Sequence, residues 1–415
     1  MATTLSDNSS QTALKHNVGG LELDRPFRIR RLGHFGFNVQ DVEDCTKFYC
    51  DLLGFQISDP IDFGGRIKDE KRRAELGNTV GYFLRHGTDH HSFVVFPKPV
   101  LDEMGGRPGA DRITINQITW QVGSLSEVAD ATAWFRNSGT GIRRTGRDMP
   151  GSNWHVYPLD PEGHINELYY GIEQIGWDGR SKPHALHKDH IQDTPDLPYI
   201  SEYQEVEEAV GRDVNVFSGY RHDSALEAKY DVGGILLERP FKVVRIGPLR
   251  VFVDDMAAME TYYRDRLGLS LTEEVTWNGH RCVFMRANTD HHSLALYPMA
   301  LRDELGLSNH TTCMSFGLQV ANYRQLKDAI GYLEDHGVEI KYLPPELSPG
   351  IDYSAFAIDP DGHALELYYY MEQVGWDGRP RPADLRRQVD NANWPETLDP
   401  MEDSFLGEAF LGPWG

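Results

Sequence analysis

The sequence predicts an α+β protein made of four βαβββ units in two similar domains. The first observation is a long repeat: "VGGLELDRPFRIRRLGHFGFNV" at 18–39 returns as "VGGILLERPFKVVRIGPLRVFV" at 232–253. A period this long exceeds that of a solenoid unit, so it indicates a duplicated domain. The second observation is that each repeat shows the same order twice, a strand, a helix and then two or three strands. Two units in each of two repeats give four units.

The first unit of each repeat opens with a strand, "LGHFGFNV" or "IGPLRVFV", whose residues alternate as in a half-buried strand. A helix is predicted next, because apolar residues of "DVEDCTKFYCDLLGF" recur at spacings of three and four. Gly54 and Gly268 stand where this helix would end in the two repeats. Strands that finish at "HHSFVVF" and "HHSLALY" complete the unit.

The second unit repeats this order, with a strand in "ITINQITWQV", a helix in "SEVADATAWFRNSG" and closing strands at "INELYY". The connection between the repeats is too long for a plain loop and contains one plausible helix, "SEYQEVEEAVG". The predicted organisation is a polar N-terminal tail (1–17), an N-terminal domain (18–180), a connecting arm (181–231), a C-terminal domain (232–380) and a C-terminal tail (381–415).

Composition indicates a soluble globular protein, with 415 residues, 40% hydrophobic and 25% charged. The 41 basic and 63 acidic side chains give a net charge of −22, so we expect neither nucleic acid nor a membrane as partner. The four cysteines form no CxxC pair, which is typical of reduced thiols in the cytoplasm. The polar N-terminus and the lack of a long apolar stretch also favour a cytoplasmic protein.

The two repeats act as controls for each other. What both share is attributed to the fold, and what only one keeps is a candidate for chemistry. His34 in the first strand is aligned with Pro248, and proline cannot replace an imidazole in a working site. The first repeat is therefore the candidate for the active one.

The helix end "FYCDLLGF" (48–55) and the closure "DPEGHINE" (160–167) resemble those of the vicinal oxygen chelate superfamily. With four units in one chain, the sequence resembles the type I extradiol ring-cleaving dioxygenases over roughly 18–180 and 232–380. This resemblance implies two vicinal-oxygen-chelate domains, each a curved mixed sheet around a cavity. The superfamily also contains glyoxalases and binding proteins, so function must be argued from the site.

The resemblance implies a metal site of two histidines and one glutamate that holds Fe(II) or Mn(II). In the first repeat the ligand positions fall on His34, Gln117 and Glu167, with glutamine where the family has histidine. Some glyoxalases of the superfamily use a glutamine ligand. In the second repeat the same positions hold Pro248, Ser315 and Glu366, which is not a usable ligand set. We therefore expect metal in the first repeat only, whereas the family places it in the C-terminal pair of units.

The resemblance also assigns an acid–base histidine to the start of the strand closing the first unit, where "DHHS" supplies His90. It places a tyrosine ten residues before the ligand glutamate, and this position is Tyr157. The second repeat has Phe356 there, so the hydroxyl is lost together with the ligands. "DHH" survives in the second repeat, however, so it can equally be a structural turn.

The function hypothesis is a metal-dependent extradiol-type dioxygenase that acts on a catechol- or hydroquinone-like aromatic with O2. One alternative is a glyoxalase-like, metal-dependent isomerase, lyase or hydrolase that does not use O2. Another is a metal-free protein that binds a small aromatic, with His34 and Glu167 in ordinary buried hydrogen bonds. We expect a homo-oligomer, with the second repeat as scaffold and interface. His155 and His164 flank the closing strands and could point into the cavity, but at polar loop ends we expect them to be exposed.

Overall fold

Two eight-stranded mixed sheets, one from each repeat, confirm the predicted α+β fold. The computed structural model describes residues 15–105, 112–148, 150–151, 153–186 and 191–398. The strands of the first repeat are β1 (His16–Val18), β2 (Leu21–Leu23), β3 (Arg31–Val39), β4 (Gln56–Asp62), β5 (Val80–Arg85), β6 (Phe93–Pro97), β7 (Ile115–Gln121), β8 (Ile142–Arg147), β9 (Trp154–Pro158) and β10 (Asn166–Tyr170).

The strands of the second repeat are β11 (Tyr230–Val232), β12 (Ile235–Leu237), β13 (Val243–Val253), β14 (Ser270–Trp277), β15 (His280–Arg286), β16 (Leu294–Pro298), β17 (Cys313–Val320), β18 (Ile340–Lys341), β19 (Ser354–Ile358) and β20 (Ala364–Tyr368). The helices are α1 (Val42–Lys47), α2 (Glu70–Leu76), α3 (Lys98–Glu103), α4 (Leu125–Asn137), α5 (Glu202–Val210), α6 (Met256–Thr261), α7 (Ala300–Leu305) and α8 (Tyr323–Asp335). The predicted helix of the connecting arm is α5. Most of the predicted N-terminal tail and the end of the C-terminal tail lie outside the described residues.

The first sheet has the order β4-β5-β6-β3-β7-β10-β9-β8, so the opening strands of the two units, β3 and β7, lie side by side at its centre. β3 and β7 are antiparallel, whereas β7 and β10 are parallel. The second sheet repeats this order with β14-β15-β16-β13-β17-β20-β19-β18. The candidate ligands of the first repeat therefore come from three adjacent central strands.

Most of the described helices begin at a side chain that caps them, although α3 and α7 do not. Asp41 caps α1 by accepting hydrogen bonds from the backbone N–H groups of Glu43 and Asp44, both at 3.0 Å. α1 then continues as a π-helical turn over Phe48–Leu52. Ser124 caps α4 in the same way through the backbone N–H of Glu127 at 3.1 Å. In the part of the chain that the structure describes, no helix has the length and hydropathy needed to cross a membrane.

The two repeats share one apolar core and are joined by reciprocal hydrogen bonds. The rings of Phe35 and Phe316 stack across the boundary with centroids 4.2 Å apart. His164 Nε2 lies 2.9 Å from Thr312 Oγ1, and His363 Nε2 lies 2.8 Å from Thr114 Oγ1. The expectation that His164 is exposed was wrong, because its ring is wholly buried at this junction.

The repeats differ most between their second and third sheet strands. In the second repeat β14 and β15 meet through the tight turn Asn278–Gly279, because Trp277 pairs with His280. In the first repeat β4 and β5 are joined by residues 63–79, since Asp62 pairs with Val80. This insertion contains a 3-10 turn at Gly64–Arg66 and helix α2. The first repeat therefore has a segment, residues 63–79, that the second repeat lacks.

Candidate metal centre and cavity

Two of the predicted ligands, His34 and Gln117, contact the same carboxylate oxygen of the third, Glu167. His34 Nε2 lies 2.9 Å from Glu167 Oε2, and the side-chain nitrogen of Gln117 lies 2.9 Å from the same oxygen. Strand register explains this convergence, because Gly36 of β3 pairs with Gln117 and Thr119 of β7 pairs with Glu167 of β10. Side chains two residues apart on a strand share a face, so all three ligand positions point to the same side of the sheet.

Two further side chains, which the sequence did not single out, complete the surroundings of Glu167. Thr119 Oγ1 donates to Oε2 at 3.0 Å, and Asn153 Nδ2 donates to Oε1 at 2.6 Å. His155 Nδ1 lies 3.7 Å from Oε1. Burial alone would raise the pKa of Glu167, but the contacts with His34, His155 and Arg144 outweigh it and lower that pKa to about 2. Glu167 is therefore a buried carboxylate that stays ionised at neutral pH.

The distances between these donors fit a divalent ion. Adjacent ligands of an octahedral ion with bonds near 2.1 Å lie about 3 Å apart, and both contacts to Glu167 Oε2 measure 2.9 Å. A half-turn of the Gln117 amide would present its oxygen in place of its nitrogen. Within the described residues His34 Nδ1 and His155 Nδ1 are buried without a hydrogen-bond partner. An imidazole, an amide and a carboxylate form a donor set suited to a hard or borderline metal.

A cavity of about 660 Å³ lies against this group. Gln117, His91, Asn153 and His155 line the wall next to Glu167. Much of the rest consists of aromatic rings and guanidinium groups, from Phe63, Phe83, Phe96, Tyr157, Arg66, Arg143 and Arg144. The lining is completed by Asp148 together with Ile61, Val94, Thr145, Pro150, Ile191 and Gln192. His34 and Glu167 themselves are wholly buried behind this wall. The expectation that His155 is exposed was wrong, because its side chain is buried at the cavity wall.

The neighbouring histidines of "DHHS" face different surroundings. His91 lines the cavity, and its ring centroid is 4.3 Å from that of His34. His90 is not among the lining residues: its Nε2 lies 2.8 Å from Asp59 Oδ2 and its Nδ1 lies 3.0 Å from His91 Nδ1. Burial, together with the nearby His34 and His90, holds the pKa of His91 well below 6.5. Of these two adjacent histidines, the one that lines the cavity is His91, and it stays neutral, whereas the sequence had singled out His90.

Tyr157 lies where the resemblance predicted a hydrogen-bonding hydroxyl. Its side chain is buried and lines the cavity. The guanidinium carbon of Arg144 lies 4.3 Å from the centre of the Tyr157 ring. Burial raises the pKa of Tyr157 far above its usual value, although Arg144 opposes this effect. The hydroxyl stays protonated and can donate a hydrogen bond.

In the second repeat an internal cation, Arg250, lies at the place that corresponds to the candidate metal site. Arg250 pairs with Ser315 in the β13–β17 register, as Gly36 pairs with Gln117 in the first repeat. Its Nη2 donates to Glu366 Oε1 at 2.7 Å, and both side chains are wholly buried. Gly36 could not carry such a side chain, because a Cβ there would lie 2.0 Å from Val94 Cγ2. The glutamate common to both repeats is thus stabilised in different ways, by hydrogen-bond donors in the first repeat and by a guanidinium group in the second.

The buried neutral histidines predict a loss of stability in mild acid. Burial lowers the pKa of His155 from 6.5 to about 4 and holds that of His292 well below 6.5. Between these values the unfolded chain binds protons that the folded chain does not, so the free energy of unfolding should fall as the pH is lowered from 6.5 towards 4. The slope should approach about 1.4 kcal/mol per pH unit for each histidine.

Denaturant titrations of chelator-treated protein at pH 7, 6 and 5 would measure this slope, and His155→Gln should reduce it. A free energy of unfolding that does not change over this range would contradict the prediction.

The described fold agrees with the comparisons to known proteins. Residues 31–168 and 245–367 match the model of the Glyoxalase/Bleomycin resistance protein/Dioxygenase superfamily, and the chain belongs to this superfamily. The resemblance predicted from the sequence is thereby confirmed.

Two curated relatives are dioxygenases. The chain is 27% identical over 160 residues to 2,2',3-trihydroxybiphenyl dioxygenase of Sphingomonas paucimobilis, which is 39% of this chain and 51% of that protein. It is 29% identical over 144 residues to 3-methylcatechol 2,3-dioxygenase of Pseudomonas putida, which is 35% of this chain and 43% of that protein. The chain therefore matches about half the length of these relatives or less.

Solved structures share the fold over most of the chain. Homoprotocatechuate 2,3-dioxygenase from Arthrobacter globiformis superposes with a TM-score of 0.53 at 17% identity, covering 85% of this chain and 83% of that chain. The Mn(II)-bound glyoxalase from Novosphingobium aromaticivorans superposes with a TM-score of 0.51 at 16% identity, covering 85% of each chain. At this level of identity the likeness concerns the fold, and activity has to be argued from the site.

Proposed function

We propose that this chain is a metal-dependent, extradiol-type ring-cleaving dioxygenase that acts on a catechol- or hydroquinone-like aromatic with O2. The observation that carries the proposal is the meeting of His34, Gln117 and Glu167 beside a cavity that also holds a neutral histidine and a protonated tyrosine. The second repeat, which has Arg250 and Glu366 at the equivalent place, serves as its scaffold.

His34, Gln117 and Glu167 would hold the metal, Fe(II) by preference and Mn(II) as the alternative. A bound ferrous ion would supply a Lewis acid for a chelating diol and the redox chemistry that O2 requires. Ionised Glu167 provides the negative charge that a divalent ion needs in a buried site. The amide of Gln117 is a weaker donor than the imidazole it replaces, which favours a hard ion.

A chain of hydrogen bonds from His91 through His90 to Asp59 would prepare His91 to act as a base. In the proposed arrangement His90 donates its Nε2–H to Asp59 at 2.8 Å, and its Nδ1 acts as a hydrogen-bond acceptor. His91 Nδ1 must then carry the proton in the 3.0 Å contact with His90 Nδ1. This tautomer leaves the lone pair of His91 Nε2 free to take a proton from a diol hydroxyl. His90 acts as a positioning residue, and the acid–base role expected for it falls to His91.

Tyr157 has a complementary role. Its protonated hydroxyl lines the same cavity and can donate a hydrogen bond to oxygen atoms of the substrate. The stacked guanidinium of Arg144 holds the ring in place. His91 and Tyr157 together would give the site one base and one hydrogen-bond donor.

A second candidate function has two forms: a metal-free protein that binds a small aromatic, or a metal-dependent enzyme that does not use O2. One observation favours it: Glu167 accepts hydrogen bonds from His34, Gln117, Thr119 and Asn153, which satisfy a buried carboxylate without an ion. In that case the cavity would bind a small aromatic, or a bound metal would act only as a Lewis acid in glyoxalase-like chemistry.

Metal analysis followed by oxygen uptake separates these functions. The protein would be loaded anaerobically with Fe(II) or Mn(II), freed of excess ion, and analysed for metal per chain. Oxygen consumption would then be recorded with a panel of catechols and hydroquinones, with chelator-treated protein as control. Metal-dependent O2 uptake that yields ring-opened product supports the proposal. Bound metal without O2 uptake on any diol would contradict it, and so would a protein that retains no metal.

Replacing Gln117 with histidine is expected to tighten metal binding. Gln117→His should keep the metal and hold it against higher chelator concentrations, because imidazole is the stronger donor. The measurement is the chelator concentration that removes half of the ion. The matched variant Ser315→His should gain no second ion, because Pro248 and Arg250 occupy that site. Identical chelator midpoints for Gln117→His and the unmodified protein would show that Gln117 is not a ligand.

A further inference from the structure

The cavity of the first repeat carries an excess of positive charge in a protein whose net charge is −22. Arg66, Arg143 and Arg144 line it. Arg144 is paired with Asp148, with 2.7 Å between Nη1 and Oδ2. Among the residues that the structure describes, Arg66 and Arg143 have no carboxylate partner. The cavity thus offers two guanidinium groups that no acidic side chain of the described chain neutralises.

The segment that supplies Arg66 is the insertion of the first repeat. The insertion at 63–79 places Phe63 and Arg66 in the cavity wall, with the guanidinium carbon 5.5 Å from the centre of the Phe63 ring. The second repeat has only the turn Asn278–Gly279 at this place. The extra wall and its cation therefore belong only to the repeat with the candidate metal site.

Arg143 is also specific to the first repeat. Ile142 pairs with Pro158 on β9, and its counterpart Ile340 pairs with Ala357 on β19, so Lys341 takes the place of Arg143. Lys341 Nζ donates to the carbonyl of Gly306 at 3.2 Å and lies 3.6 Å from Glu339. The cation of the second repeat is thus engaged within the protein, whereas Arg143 faces the cavity.

The physical consequence is a preference for an anion. Partial desolvation at the cavity mouth lowers the pKa of Arg143, and the adjacent Arg144 lowers it further, so a negative charge nearby would stabilise the arginine. A guanidinium binds a carboxylate through two parallel hydrogen bonds. The rings of Phe63, Phe83 and Phe96 provide apolar contact for an aromatic ring in the same cavity.

We propose that the substrate of this site is an aromatic carboxylate, whose carboxylate group is bound by Arg143 with Arg66 while its ring lies against the phenylalanines. The inference rests on the proposed function for the diol part of the ligand. It also separates this chain from the two curated relatives, since trihydroxybiphenyl and 3-methylcatechol, in their names, carry no carboxylate.

Binding of unreactive probes tests the charge preference without metal or turnover. Chelator-treated protein would be titrated calorimetrically with benzoate and with its neutral analogue benzamide. Benzoate should bind more tightly, and Arg143→Gln should weaken benzoate binding by about tenfold, the loss expected for one charge-assisted contact. The matched control Lys341→Gln should leave benzoate binding unchanged. Arg143 lies on the edge strand β8 with an exposed side chain, so the variant should fold. Equal affinity for both probes, or no effect of Arg143→Gln and Arg66→Gln, would overturn the proposal.

Oxygen uptake distinguishes this failure from failure of the proposed function. If Fe(II)-loaded protein cleaves 3,4-dihydroxybenzoate with a lower KM than catechol, and Arg143→Gln removes that difference, both proposals are supported. If both diols are cleaved with equal KM and Arg143→Gln has no effect, the dioxygenase stands and the aromatic carboxylate is rejected. If no diol consumes O2 but benzoate binding depends on Arg143, the carboxylate site stands and the dioxygenase is rejected.

Discussion

Replacing His34 with alanine is expected to reduce bound metal from about one ion per chain to a trace and to abolish oxygen uptake. His34 contributes the strongest neutral donor of the set, and its Nε2 lies 2.9 Å from Glu167 Oε2. Without it only the amide of Gln117 and the carboxylate would remain, which is too few ligands for a stable site. The measurement is metal content by mass spectrometry after anaerobic loading, with circular dichroism to confirm the fold.

The second repeat provides the control for this variant. Ser315→Ala alters the position equivalent to Gln117 and removes a hydroxyl that is buried without a partner in the described part of the chain. This variant should keep the same metal content and turnover as the unmodified protein. Two ions per unmodified chain would contradict the assignment to the first repeat, as would an ion that survives His34→Ala.

Replacing His91 with alanine is expected to lower turnover on the order of a hundred- to ten-thousand-fold while metal content stays the same. His91 lines the cavity and stays neutral, because burial and two neighbouring histidines depress its pKa. His90→Ala should have a smaller effect, since His90 acts only by fixing the tautomer of His91 through their 3.0 Å contact. The measurement is kcat with a catechol, together with metal content.

The equivalent pair of the second repeat is the matched control. His291 and His292 have a similar geometry, with 3.1 Å between their Nδ1 atoms, but this repeat has Arg250 and Glu366 where the first has the candidate metal ligands. His292→Ala should leave turnover nearly unchanged. If His91→Ala and His292→Ala lower turnover by the same small factor, "DHH" is a structural turn in both repeats and the role of His91 has to be withdrawn.

The contrast between the repeats also explains why a buried glutamate survives in both. Glu167 is stabilised by hydrogen-bond donors and is a candidate metal ligand, whereas Glu366 is paired with the buried guanidinium of Arg250. Removing one partner of a buried ion pair leaves an uncompensated charge, which is strongly destabilising. The second repeat therefore keeps its glutamate for stability.

The sequence by itself determined the fold class and the asymmetry of the site. Apolar periodicity identified the strands and helices, and the internal repeat supplied the comparison of His34 with Pro248. The resemblance then led to Gln117 and Glu167 because each occupies a definite position on its strand. These inferences depend on local patterns that a single chain reveals without knowledge of its neighbours.

Only the tertiary structure decided which side chains face the cavity. His90 and His91 are adjacent in sequence and equivalent in type, so the choice between them depends on the bonds to Asp59 and on the packing of His91 against His34. Thr119 and Asn153 reach Glu167 through strand register and chain approach, which sequence spacing does not reveal. The positive wall depends on the inserted segment placing Phe63 and Arg66 at the cavity, which is a long-range contact that the linear sequence does not reveal.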